Sequence, residues 1–113
     1  MASGRRSRRP PSNKVEVSYF LSQEAEEELA EAIAFYKEQA STSVAKAFLS
    51  EFIRAARLVA ENPGLGTPTS RGRRLLPLHR FPYLLVYRAE DDGVRIGAVA
   101  HQSRRPGYWR ARK

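Results

Sequence analysis

The sequence predicts an α+β fold of order β-α-α-β-β-β, an antiparallel helical hairpin packed on one face of a mainly antiparallel four-stranded sheet. Three observations predict it. Two apolar stripes at helical spacing, Ala25 to Ala40 and Val44 to Val59, are separated only by Ser41-Thr42-Ser43. The turn signals Asn62-Pro63-Gly64 and Asp91-Asp92-Gly93 then punctuate the second half of the chain. Around them lie short segments of β-type residues, of which Tyr83–Arg88 and Val94–His101 are the strongest.

Residues 1–14 are rich in Arg, Ser and Pro, too poor in apolar surface to order themselves, and are expected to form a basic tail ahead of a single domain at 15–113. Val15-Glu16-Val17-Ser18-Tyr19-Phe20 alternates apolar and polar residues, as a short strand does. Ser22 is a suitable N-cap, and Glu24 and Glu26 complement the dipole of a first helix whose stripe is Ala25, Leu29, Ile33, Tyr36 and Ala40. The Ser41–Ser43 segment caps a second helix. Its stripe of Val44, Phe48, Phe52, Ala56 and Val59 is broadened by Leu49, Ala55 and Leu58. Pro63 stops that helix, with Gly64 expected as a left-handed cap.

Leu65–Gly72 reads as a loop, and Arg73–Leu78 as a strand in which Pro77 requires an edge position or a bulge. Arg80-Phe81-Pro82 makes a turn. The apolar run Leu84-Leu85-Val86 predicts a strand buried on both faces. After the Asp91–Gly93 hairpin turn, Val94, Ile96, Ala98 and Ala100 are expected on one face, alternating with Arg95, Gly97, Val99 and His101.

The chain has 113 residues, 42% of them hydrophobic, which suits one domain with a modest core. It contains no cysteine, so a disulfide or thiolate metal site is excluded, in keeping with a cytoplasmic location. With only His79 and His101 besides, a metal site is not expected, nor any cofactor. No apolar run reaches the roughly 20 residues that span a bilayer, so no membrane association is expected.

Charge is segregated. Residues 1–14 carry five Lys/Arg and no acid, residues 15–70 four against nine, and residues 71–113 eleven against three, within a formal net charge of +8. The basic C-terminal part favours an anionic partner, either nucleic acid or an acidic protein.

Chemistry concentrates in that part. His101 is followed by Gln102, Arg104, Arg105, Tyr108 and Trp109, and the neighbouring segments supply Arg73, Arg74, Arg80 and Arg88. His, Tyr and Arg are the residue types a metal-independent ribonuclease needs, as base, acid and cations around the phosphate. The same residues also suit a structural role, in which Tyr108 and Trp109 pin the C-terminal segment to the sheet while His101 hydrogen-bonds locally. Spacing alone leaves both readings open.

The order of these pieces, namely the helical hairpin, Asn62-Pro63-Gly64, Phe81-Pro82-Tyr83 leading into Leu85-Val86-Tyr87, His101, and Arg104-Arg105-Pro106-Gly107-Tyr108-Trp109, resembles the RelE/ParE superfamily of type II toxin–antitoxin modules. The resemblance covers Val15 to Arg112. It implies a growth-inhibiting, plasmid-stabilising toxin held in a hetero-oligomer by a cognate antitoxin. In RelE-like nucleases an arginine is usual where this chain has Leu84, and another where it has Gln102. Losing one phosphate-stabilising donor costs about 10²–10³ in rate. The Tyr83-Leu84-Leu85-Val86-Tyr87 strand looks closer to ParE, whose characterised members poison DNA gyrase without being enzymes. The resemblance therefore favours a non-enzymatic gyrase inhibitor, with Arg73, Arg74, Arg80, Arg88 and Trp109 facing antitoxin or target. The alternatives are a RelE-like endoribonuclease cleaving mRNA, free or on the ribosome, through His101, Arg104, Arg105 and Tyr108, and a non-toxic nucleic-acid-binding module.

Overall fold

The structure, a computed structural model, describes residues 18–112. The expected tail at 1–14, and Val15 and Val17 of the first strand, lie outside the described residues. The elements are β1 (Tyr19–Leu21), α1 (Gln23–Gln39), α2 (Thr42–Glu61), β2 (Thr67–Pro68), a 3₁₀ turn (Ser70–Gly72), β3 (Arg73–Pro77), β4 (Tyr83–Glu90), β5 (Gly93–His101) and a C-terminal 3₁₀ turn (Tyr108–Ala111). The strands form one mixed sheet of order β1-β5-β4-β3-β2, in which only β1 and β5 run parallel. The predicted class and element order hold, with five strands instead of four. The additional strand is Thr67–Pro68, inside the expected loop, and it pairs with Leu75 and Arg74. Beyond those two residues β3 is itself the sheet edge, which is how Pro77 is accommodated without a lost ladder bond.

Both helices start where the serines place them. Ser22 Oγ accepts from Ala25 N at 3.1 Å, and Ser41 Oγ accepts from Val44 N at 3.1 Å. The exit of α2 differs from expectation. Asn62 terminates it, its backbone N–H donating to Leu58 O, and Gly64 is not among the left-handed residues, because the chain turns directly into a loop fixed by Tyr87. The Tyr87 hydroxyl donates to Pro63 O and accepts from Gly66 N, each at 2.8 Å. A Cβ on Gly66 would meet Leu75 O at 2.7 Å, so this close approach requires glycine.

The main core lies between the hairpin and the sheet. Phe48, Phe52, Ala55, Ala56 and Val59 of α2 meet Leu85, Tyr87, Val94 and Ile96. Leu29 and Ile33 of α1 are half-buried against it, Ala25 and Ala32 let α1 approach closely, and Leu49 proves exposed, on the outer side of α2. Phe81, expected only as part of a turn, joins Tyr36, Phe48 and Tyr83 in an aromatic cluster with most ring centroids 5.0–5.3 Å apart.

The strict alternation expected in the last strand fails at one residue. A bulge falls where Val86 pairs with Ala98 but Tyr87 pairs with Ile96, leaving Gly97 unmatched. One extra residue inverts the facing of everything beyond it. Val94 and Ile96 therefore share the helix side with Val99, whereas Ala98 and Ala100 turn to the opposite, open face. There they meet Val86 and Trp109 in a second, smaller core. This is why the Leu84–Val86 run is apolar on both sides: Leu85 packs under the helices and Val86 under the C-terminal segment.

Candidate functional site

Past Leu21, β1 ends, and among the described residues no strand pairs with that edge of β5 from Gly97 onward. An open edge with buried backbone groups is unstable unless something covers it. Here Glu28 of α1 does so, together with the C-terminal segment. Glu28 accepts from Val99 N at 2.9 Å, from the Tyr108 hydroxyl at 2.5 Å, and from both terminal nitrogens of Arg112 at 3.0 and 3.1 Å. The Gly97 carbonyl accepts from Arg112 at 3.0 Å and from Ser22 Oγ at 3.3 Å. The C-terminal segment thus wraps the edge of β5, with Trp109 on the open face and Tyr108 and Arg112 reaching round to α1.

Burial raises the Glu28 pKa, but the Arg112 ion pair, the Tyr108 hydroxyl and the Val99 amide outweigh it and hold the carboxyl below its ordinary value. Burial and the hydrogen bond to Glu28 push the Tyr108 phenol up to about 12. A proton held this firmly is poorly placed for general acid–base work near neutrality. The Arg104 guanidinium stacks 4.0 Å from the Tyr108 ring centroid, and that of Arg112 lies 5.1 Å from it.

His101 is engaged locally. Its Nδ1 accepts from Ser103 N at 3.0 Å and lies 2.8 Å from Ser103 Oγ, while its ring packs edge-on against Tyr83 at 4.9 Å. Gln102 N donates to Pro82 O at 2.8 Å, which ties the end of β5 to the β3–β4 turn.

On the open face these residues border a groove of about 430 Å³. Its apolar lining includes Leu75, Leu84, Ala100 and Trp109, and its polar border includes His101, Gln102, Arg104, Arg105 and Tyr108. The structure therefore gathers His101, Arg104, Arg105 and Tyr108, and sets the two departures from the nuclease pattern, Leu84 and Gln102, beside them. A second groove, of about 340 Å³, runs between α1 and the end of β5 and is lined by Glu31, Phe35, Tyr83, His101 and Arg104.

The other arginines disperse. Arg73 and Arg74, adjacent in sequence, point to opposite faces. Arg73 is buried on the open face, and Arg74 donates to Gly66 O at 2.8 Å and Gly64 O at 3.2 Å, holding the exit loop of α2. Arg80 sits in the β3–β4 turn with a left-handed φ of 70° and lies over Phe81. Arg88 and Arg73 line a separate cleft with Arg95 and Arg112. Sequence reasoning missed Glu28, Arg95 and Arg112. The signal for Glu28 was present, since it is the one acid between Ala25 and Ala32 at spacings of three and four, on the buried side of α1. Among the described residues no three His, Cys, Asp or Glu side chains gather as a metal site would require, and no helix is long and apolar enough to cross a membrane.

A helical hairpin laid on a mixed sheet, with a basic C-terminal segment wrapped round one edge, defines a small α+β protein of hairpin-on-sheet architecture. The family model described as "ParE toxin of type II toxin-antitoxin system, parDE" matches residues 19–106, more than half of the chain. The protein belongs to the ParE toxin family, within the RelE/ParE superfamily. Among solved structures it is similar to one described as "Chromosomal ParDE TA system from P. aeruginosa", with a TM-score of 0.67 at 19% identity. That similarity covers 75% of this chain and 95% of the other, and it concerns the fold. No curated protein sequence matches the chain.

Proposed function

We propose that this ParE-family protein is a growth-inhibiting toxin that acts by binding DNA gyrase, is neutralised by an acidic cognate antitoxin, and does not cleave RNA. The observation that carries the reading is the open-face groove. Its side wall is an aliphatic Leu84 where a nuclease would place a cation, and Tyr108, its best candidate acid, is committed to Glu28. A groove with apolar walls and a cationic border is suited to binding a protein surface. In cells, induction of the toxin should leave mRNA ends unchanged, both free and on ribosomes. Codon-phased cuts that vanish in Tyr108→Phe or His101→Ala would instead assign the RelE-like nuclease activity.

The antitoxin is proposed to lie along the basic C-terminal half, with an apolar anchor on the groove beside the 53%-exposed Phe35. Arg104 and Arg105 are exposed and border the grooves, whereas Arg74 holds a loop in place, so the former pair is the better target for charge reversal. Arg104→Glu/Arg105→Glu should weaken antitoxin binding at least tenfold, and raising salt should weaken the wild-type complex. Affinity unchanged by both would rule out a charge-steered surface.

A further inference from the structure

The bulge and the strand register produce an arrangement that the groove does not use. Arg73, Arg88 and Arg95 are directly opposite one another across β3, β4 and β5. Like charges in such positions repel, and a sheet that sets three guanidinium groups in a row is destabilised unless an anion joins them. Arg73 is only 6% exposed, and among the described residues its buried Nη1 has no hydrogen-bond partner, while its Nη2 donates to Arg112 O. An unsatisfied buried donor of this kind is rare and costly. Burial first, then Arg88 and Arg71, lowers the pKa of Arg73, so the surroundings act against its charge.

These side chains line a cleft shared with Arg112 and Trp109. Its cavity of about 20 Å³ has room for one water-sized atom. Arg112 is paired with Glu28 at 3.0 Å and Arg95 with Glu90 at 3.3 Å. Among the described residues, Arg73 and Arg88 have no acidic partner. Two positive charges with no acidic partner among the described residues match a dianion better than a carboxylate, and a planar guanidinium fork suits phosphate oxygens.

We propose that Arg73, Arg88, Arg95 and Arg112 form a phosphate site, which draws one oxygen of a doubly charged phosphate, free or as a terminal monoester, into the cleft beside Trp109. The site stands independently of whether gyrase or RNA is the target.

Trp109 is the sole tryptophan of the chain, so its fluorescence reports the cleft directly. Inorganic phosphate titrated into the full-length protein at constant ionic strength should give a saturable change. Arg88→Gln should weaken binding at least tenfold, as expected for loss of a charge-assisted hydrogen bond. Arg80→Gln and Arg105→Gln, basic residues outside the cleft, should stay within twofold of wild type. Thermal melts add a test of opposite sign. Arg88→Gln should melt higher than wild type without phosphate, because a like charge is removed, and should lose the rise that phosphate confers. A lower melt for Arg88→Gln with phosphate binding intact would assign it a purely structural role and overturn the proposal. So would equal binding of acetate, or equal weakening by Arg80→Gln. Should Arg73→Gln fail to fold, Arg95→Gln, on an exposed side chain, serves as the second cleft variant. A 5′-phosphorylated oligonucleotide that competes with phosphate identifies a nucleic-acid end as the source, and its failure to compete leaves the free anion. An oligonucleotide that competes equally well without its terminal phosphate would assign binding to the backbone and contradict the dianion site.

Discussion

Phe52→Ala should lower the free energy of unfolding by about 3–5 kcal/mol, the range for emptying a buried phenylalanine site. Phe52 is 2% exposed, sits in the centre of α2, and meets the edge of Tyr19 with ring centroids 6.3 Å apart. It therefore links the helical hairpin to the first strand as well as filling the core. Leu49→Ala, three residues away but on the outer side of the helix, should cost about 1 kcal/mol or less. Denaturant unfolding of the two variants checks the helix register, and a loss below about 1 kcal/mol for Phe52→Ala would contradict it.

Glu28→Ala should cost about 3 kcal/mol, the lower end for breaking a buried ion pair. The lower end applies because the side chains of Glu28 and Arg112 retain 11% and 22% exposure. The substitution strands the Val99 amide at the uncovered edge of β5 and releases both Tyr108 and Arg112. Hydrogen exchange should therefore rise across Tyr108–Arg112 and at Val99, while the α2 core stays protected. Glu28→Gln keeps an acceptor and should cost less. The pH dependence follows from the lowered Glu28 pKa. Its contribution is present above the carboxyl's unfolded pKa and is lost as pH falls through the lower folded value, so the C-terminal segment should loosen in acid in wild type and not further in Glu28→Ala. Unchanged protection of Tyr108–Arg112 in Glu28→Ala would contradict the wrapped-edge description.

The helical half of the fold was legible because its signals are local. Ser22 and Ser41 cap the helices they precede, and a period near 3.6 places Phe48, Phe52 and Val59 in one core. The sheet was legible less completely. The Gly97 bulge depends on pairing with β4, and no periodicity within Val94–His101 shows that its facing inverts midway. Thr67–Pro68 is too short to carry a strand pattern and exists because β3 offers it an edge. The site divided along the same lines. His101, Gln102, Arg104, Arg105 and Tyr108 are close in sequence and border one groove, whereas Arg73 and Arg74 separate because adjacent strand residues face opposite ways. Glu28 and Arg112 stand 84 residues apart, and only the folded chain brings them together.

The proposed function is protein-target binding by the groove of this ParE-family protein, without phosphodiester cleavage. The most direct measurement is a supercoiling assay with purified DNA gyrase and the purified chain. We expect supercoiling to be lost at near-stoichiometric toxin and restored when the antitoxin is added. Gyrase that remains fully active in an excess of correctly folded toxin would contradict the proposed target.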